Sequence, residues 1–162
     1  MTRHRLEFPM AASASVVFDA FHYHAWRQRW DTLVRATHVL GGAPCPFVGA
    51  ITENAGAGWL SGLAMRTQFI SYARPHLAAA QMVGRSFPFV RWAASMRHRD
   101  LGSDSSLMVY AWSLDTVAPR ALIRPIAEGI FRRQTQRRFA RLQAFVREHR
   151  REIEAWQAER AR

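Results

Sequence analysis

Residues 63–115 read LAMRTQFISYARPHLAAAQMVGRSFPFVRWAASMRHRDLGSDSSLMVYAWSLD. Apolar and polar side chains alternate here with a period near two, and Arg74-Pro75, Phe87-Pro88 and Asp100 to Asp104 interrupt the alternation as turns. The pattern predicts strands at Leu63 to Ala73, Ala78 to Ser86, Val90 to Arg99 and Ser105 to Asp115. Upstream, Thr37 to Leu40 and Phe47 to Asn54 carry the same signal on either side of the turn Gly41-Gly42-Ala43-Pro44. The connections are too short for crossover helices, so neighbouring strands pair antiparallel as a meander.

Outside this block the period changes. Arg3 to Met10 reads as a first strand, and Ser13 is an N-cap candidate for a helix carrying Val16, Val17, Ala20, Phe21 and Ala25. Trp26, Trp30 and Leu33 extend it into a second short helical piece. From Pro119 to about Arg160, Phe131, Thr135, Phe139, Leu142, Val146, Ile153 and Trp156 recur every three or four positions and mark a long helix. Leu122, Ile126 and Ile130 fall off that stripe when projected at about 100° per residue. The offset predicts a break or kink at Pro125 or Gly129. Together these elements form a single α+β domain over residues 1–162, in which a curved seven-stranded antiparallel sheet wraps the terminal helix so that both bury their apolar faces.

Composition narrows the function. All 23 basic residues are arginine, against 12 acids, for a net charge of +11. With no lysine there is no Schiff-base, phosphate-loop or general-base lysine. The one cysteine, Cys45, excludes a disulfide within the chain and a multi-cysteine metal site. No apolar run reaches the roughly 18 residues of a spanning helix. Glu7 and Pro9 interrupt what would be the apolar stretch of a secretion signal, so a soluble, cytoplasmic protein is expected. No nucleophile elbow, Gly-rich dinucleotide loop or carboxylate pair is present, and no cofactor is expected. His22 and His24 point to different sides of a helix without a third ligand, so no metal is expected either. Asp31 is placed to cap or pair locally, with Arg35 four residues on.

Strand polarity assigns the faces. The helix-facing set holds Met65, Thr67 and Phe69 on one strand and Ala80, Met82, Gly84 and Ser86 on the next. Trp92, Ala94, Met96 and His98 follow, then Met108, Tyr110, Trp112 and Leu114. Tyr72 and Arg74 belong to the opposite set. The inward face is rich in methionine and aromatics, which adapt to irregular space. On the helix, Ile130 and Arg138 border the same interior, and Arg138 is positioned to meet a carboxylate or phenolate, or to lay its stem over the core.

Three stretches carry a family resemblance. AASASVVFDAFHYHAWRQRWDTLVRATHV (11–39), with a small-residue cap before Val17 and Phe18 and then Trp30, PFVGAITEN (46–54), with Gly49, and ISYARPHLAAAQMVG (70–84) resemble the START-like or SRPBCC superfamily of helix-grip proteins. That superfamily includes polyketide cyclases, coenzyme-Q-binding proteins and lipid-transfer domains. The resemblance implies an apolar pocket between sheet and helix for a small hydrophobic molecule such as a lipid, polyketide or isoprenoid. Met65, Thr67, Phe69, Met82, Trp92, Met96, Tyr110, Trp112, Ile130 and Arg138 are the candidate ligand contacts. Two alternatives stand beside it. One is an enzyme of polyketide cyclase or aromatase type, moving a proton through His98 or Tyr110. The other is an RNA- or ribosome-associated module. Residues 120–162 hold twelve arginines against five acids, and Arg133, Arg137 and Arg141 form an i, i+4 row fit for an anionic lipid, RNA or acidic protein surface.

Overall fold

The computed structural model describes residues 3–32, 34–56 and 64–162. Alternation along the chain is realised as one seven-stranded sheet. Strand β1 (Arg3–Met10) precedes α1 (Ala14–His22) and α2 (His24–Arg27), and β2 (Val34–Val39), β3 (Ile51–Gly56), β4 (Ala64–Ala73), β5 (Leu77–Met82), β6 (Phe89–Gly102) and β7 (Ser105–Thr116) follow, closed by α3 (Arg120–Arg160). The order β1-β7-β6-β5-β4-β3-β2 is an uninterrupted antiparallel meander with β1 returning beside β7. Ser13 caps α1 as its spacing predicts, its hydroxyl accepting the Val16 N–H. Tyr23, in an extended conformation, separates α1 from α2. Leu33 and Leu63 lie outside the described residues.

Three local features depart from strict alternation. Gly49, at φ +88°, belongs to a turn in which Ala50 N–H donates to the Phe47 carbonyl. That leaves Phe47 and Val48 exposed ahead of β3 rather than inside it. Gly84, at φ +75°, ends β5 early, so Gly84 and Ser86 leave the inward face. A register shift between Phe69 and Ser71 then flips the alternation, leaving Ile70 outward as the extra residue and bringing Tyr72 inward. Tyr72 packs 5.2 Å from Phe18 and 5.9 Å from Phe69, ring to ring, and Arg74 turns to the same side to clasp buried Asp19 through both carboxylate oxygens. Gln157 of α3 donates to the same carboxylate, so α1, the end of β4 and the helix C-terminus share one polar anchor.

Helix α3 runs unbroken for 41 residues with Pro125 inside it. A proline this close to the N-terminus removes one intrahelical bond, and packing of the remaining turns outweighs the loss. The offset stripe is therefore a second, outward stripe and not the signature of a break. Leu122, Ile126 and Ile130 are 68%, 64% and 43% exposed, whereas Ala127, Thr135, Phe139, Leu142, Val146 and Ile153 are buried against the sheet. The core centres on Phe139, whose ring lies 4.9 Å from Phe8 and 5.0 Å from Tyr110, with Trp112 fully covered beside it.

Candidate ligand-binding cavity

Between β3–β7 and α3 the side chains leave a cavity of about 170 Å³. One wall is apolar. Phe69, Ala78, Ala80, Trp92, Ala94 and Met96 supply it from the sheet, with Phe131 of α3 and Phe21 of α1. Room arises where small residues face each other: Ala80 of β5 pairs with Ala94 of β6, and both line the space.

The polar part of the lining is wired together. Thr52 and Thr67, directly paired across β3 and β4, bring their hydroxyls to 2.7 Å. Asn54 takes the Thr37 hydroxyl at 2.8 Å on its amide oxygen while its NH2 group points to both threonine oxygens at 3.4 Å. Arg27 closes the row, one Nη reaching the Asn54 oxygen at 3.5 Å. Behind the wall sits Asp31, almost wholly buried. Its Oδ2 accepts Arg27 Nε at 2.9 Å and Arg138 Nε at 3.0 Å, and also Arg138 Nη2. Both guanidiniums lie about as far from the Phe21 ring, at 4.9 and 5.0 Å from its centroid.

Burial by itself would push the Asp31 carboxyl up, but the Arg138 and Arg27 charges outweigh it and hold the group below the usual carboxylate range. Arg27 is lowered to about 10, by burial first and then by Arg138, and stays charged at neutral pH. Tyr110 is pushed up to about 12, chiefly by burial, so its phenol is neutral. Burial also holds His22 well below its ordinary value. His22 Nδ1 donates to the Phe18 carbonyl at 2.8 Å, which leaves Nε2 as the acceptor nitrogen on an imidazole that lines the cavity. The arrangement presents two cations, one neutral phenol and one neutral imidazole to whatever enters.

Solved structures share this fold over most of the chain. A START superfamily protein from Mycobacterium smegmatis superposes at TM-score 0.66 and 14% identity, covering 85% of this chain and 93% of that one. Norcoclaurine synthase from Thalictrum flavum, in complex with dopamine and hydroxybenzaldehyde, superposes at 0.67 and 16%, covering 91% of this chain and 87% of that one. The chain has the START-like, helix-grip fold. A conserved protein from Geobacillus kaustophilus gives a TM-score of 0.72 at 8% identity, covering 91% and 97% of the two chains. No family model matches the sequence, and no curated protein matches it.

Within the START-like framework the structure sorts the sequence candidates. Met65, Thr67, Phe69, Trp92, Met96, Tyr110 and Arg138 line the cavity together. Met82, Trp112, Ile130 and His98 stand outside its wall. Met82 is the last residue of β5, where Gly84 peels the chain away. Trp112 is sealed in the packed layer, stacked on His4 at 5.2 Å and near Phe131 at 5.6 Å. Ile130 belongs to the outward stripe, and its neighbour Phe131 takes the inward position. His98 faces inward from β6 but lies beneath α1, its ring 5.5 Å from Phe18.

Sequence reading missed the groups that define the polar wall. Arg27, Asn54, Thr52 and His22 come from α1, α2 and β3, whose inner faces were not assigned. The i, i+4 spacing of Arg27 and Asp31 was the available signal; Asp31 turns back to Arg27 and across to Arg138. Among the described residues no group of three metal-ligating side chains forms, and no helix is long and apolar enough to cross a membrane.

Proposed function

We propose that the chain binds a small hydrophobic molecule in the space between sheet and α3. The carrying observation is the cavity itself: about 170 Å³, walled by Phe69, Trp92, Met96 and Phe131 and opened by the Ala80–Ala94 pair. An apolar cavity of roughly 150 Å³ is large enough to take up benzene, so the space admits one ring or a short acyl chain. The norcoclaurine synthase structure, which holds dopamine and hydroxybenzaldehyde, supports a ligand of that size. Native mass spectrometry and ligand-observed NMR with a panel of single-ring compounds and short-chain acyl compounds test the reading. Uptake is expected in the wild type. Ala80→Phe fills the space from the sheet side and is expected to weaken uptake at least tenfold while costing about 1–3 kcal/mol of stability. No uptake by the wild type, or unchanged uptake in the variant, overturns the proposal.

A second reading concerns the outer face of α3. Arg133, Arg137 and Arg141 are exposed and enter no ion pair among the described residues. They continue the row begun by exposed Leu122, Ile126 and Ile130. Apolar side chains followed by an unpaired cationic row fit the surface of an anionic membrane, where each arginine contributes about 1 kcal/mol. Sedimentation is expected with phosphatidylglycerol-containing vesicles and not with phosphatidylcholine alone, and to be lost when the three arginines become Gln. Equal binding to both vesicles, or salt-sensitive RNA binding without vesicle binding, rejects it.

A further inference from the structure

The polar wall carries more positive charge than it neutralises. Arg27 and Arg138 are two buried or nearly buried guanidiniums, and Asp31 is the one carboxylate that reaches them among the described residues. The other titratable groups at the cavity, His22 and Tyr110, are both held neutral by burial and offset nothing. A net positive charge therefore remains beside an apolar space. A buried charge without a counter-charge costs several kcal/mol, and an anion of matching shape relieves that cost.

The bonding geometry shows how such an anion would be met. Asp31 sits behind the wall and is not part of the cavity lining. It engages Nε of both arginines and Nη2 of Arg138, which fixes their orientation from the rear. The Nη1 group of each guanidinium makes no bond to protein among the described residues, and both side chains line the cavity. Two Nη1 groups, one from each guanidinium, match the two oxygens of a carboxylate with charge-assisted donors. Trp92, Ala94 and Met96 line the same cavity and supply its apolar surface.

We infer that the ligand is a carboxylic acid bound as its anion. Arg27 and Arg138 hold the carboxylate, and a single ring or short acyl chain lies against Trp92, Ala94 and Met96. This rests on the cavity being a ligand site and names the class of molecule it takes. The test is titration calorimetry with two isosteric pairs, benzoate against benzamide and hexanoate against hexanamide, at pH 7.5. In at least one pair the anion is expected to bind at least tenfold more tightly than the amide. Arg138→Gln is expected to erase that preference. The wild-type comparison decides the matter even if the variant folds poorly. Equal affinity for acid and amide overturns the inference and leaves the cavity reading standing. Uptake of neither pair overturns both.

Discussion

Acidification from pH 7 to pH 5 is expected to remove much of the stability of the fold, well before its ion pairs are protonated. His98 is buried with neither ring nitrogen bonded to protein among the described residues, and burial lowers it to about 3. His22 is lowered in the same direction for the same reason. In the unfolded chain both titrate near the ordinary value of about 6.5. Above that pH neither state binds the protons and stability does not change. Below it the unfolded chain takes up protons that the fold refuses, and stability falls until the folded-state values are reached. Each histidine contributes about 1.4 kcal/mol per pH unit in this window, so the pair contributes about 3 kcal/mol per unit. Against a typical total of about 5–15 kcal/mol, that is a large loss. His24, lowered to about 4 but less deeply enclosed, adds in the same direction. Urea midpoints at pH 7, 6 and 5 measure the effect, and His98→Leu is expected to reduce the slope by at least about a third. A midpoint independent of pH across this range contradicts the buried neutral imidazoles.

The second large effect is expected at Asp31. Asp31→Ala leaves Arg27 and Arg138 facing each other in the interior without a counter-charge, at a cost of about 3–5 kcal/mol. The exposed pair of Arg29 and Glu152, joined by two hydrogen bonds of 2.8 and 3.1 Å, supplies the contrast. Glu152→Gln is expected to change stability little, because solvent screens that bridge. Denaturant unfolding of the two variants side by side gives the comparison. If Asp31→Ala proves as mild as Glu152→Gln, the cluster is not a desolvated one. Replacing Arg27, Asp31 and Arg138 together by Met, Leu and Met is expected to recover most of the lost stability, since apolar side chains of similar volume carry no desolvation cost.

These two effects arise from groups of very different legibility. The inward position of His98 follows from its place two residues beyond Met96 on an alternating strand, and the structure keeps it there. What alternation does not contain is the covering element. Phe18 of α1 closes over His98, so an inward imidazole becomes a buried core residue apart from the cavity. The same limit applies to Trp112 and Ile130. Both sit on apolar periodicities, yet one is sealed beneath Phe131 and the other faces outward. A helix of 41 residues carries two apolar stripes in its first turns, and composition does not say which of them meets the sheet.

Local order was written in the chain. Strand signals at residues 3–10, 37–40 and 47–54 and through 63–115, short polar turns and a period near 3.6 after Pro119 determine seven antiparallel strands and a terminal helix, because the pleat and the helical turn impose those spacings on any side chain that is to be buried. Tertiary structure alone decided the face of Tyr72, since a single extra residue between Phe69 and Ser71 reverses every later position on β4. It also decided the polar wall. Arg138 meets Asp31 across 107 residues of sequence, and Asn54 joins Thr37 to Arg27 across separate elements. Such contacts depend on how the sheet curves around α3, a property of the assembled layers that no window of sequence carries.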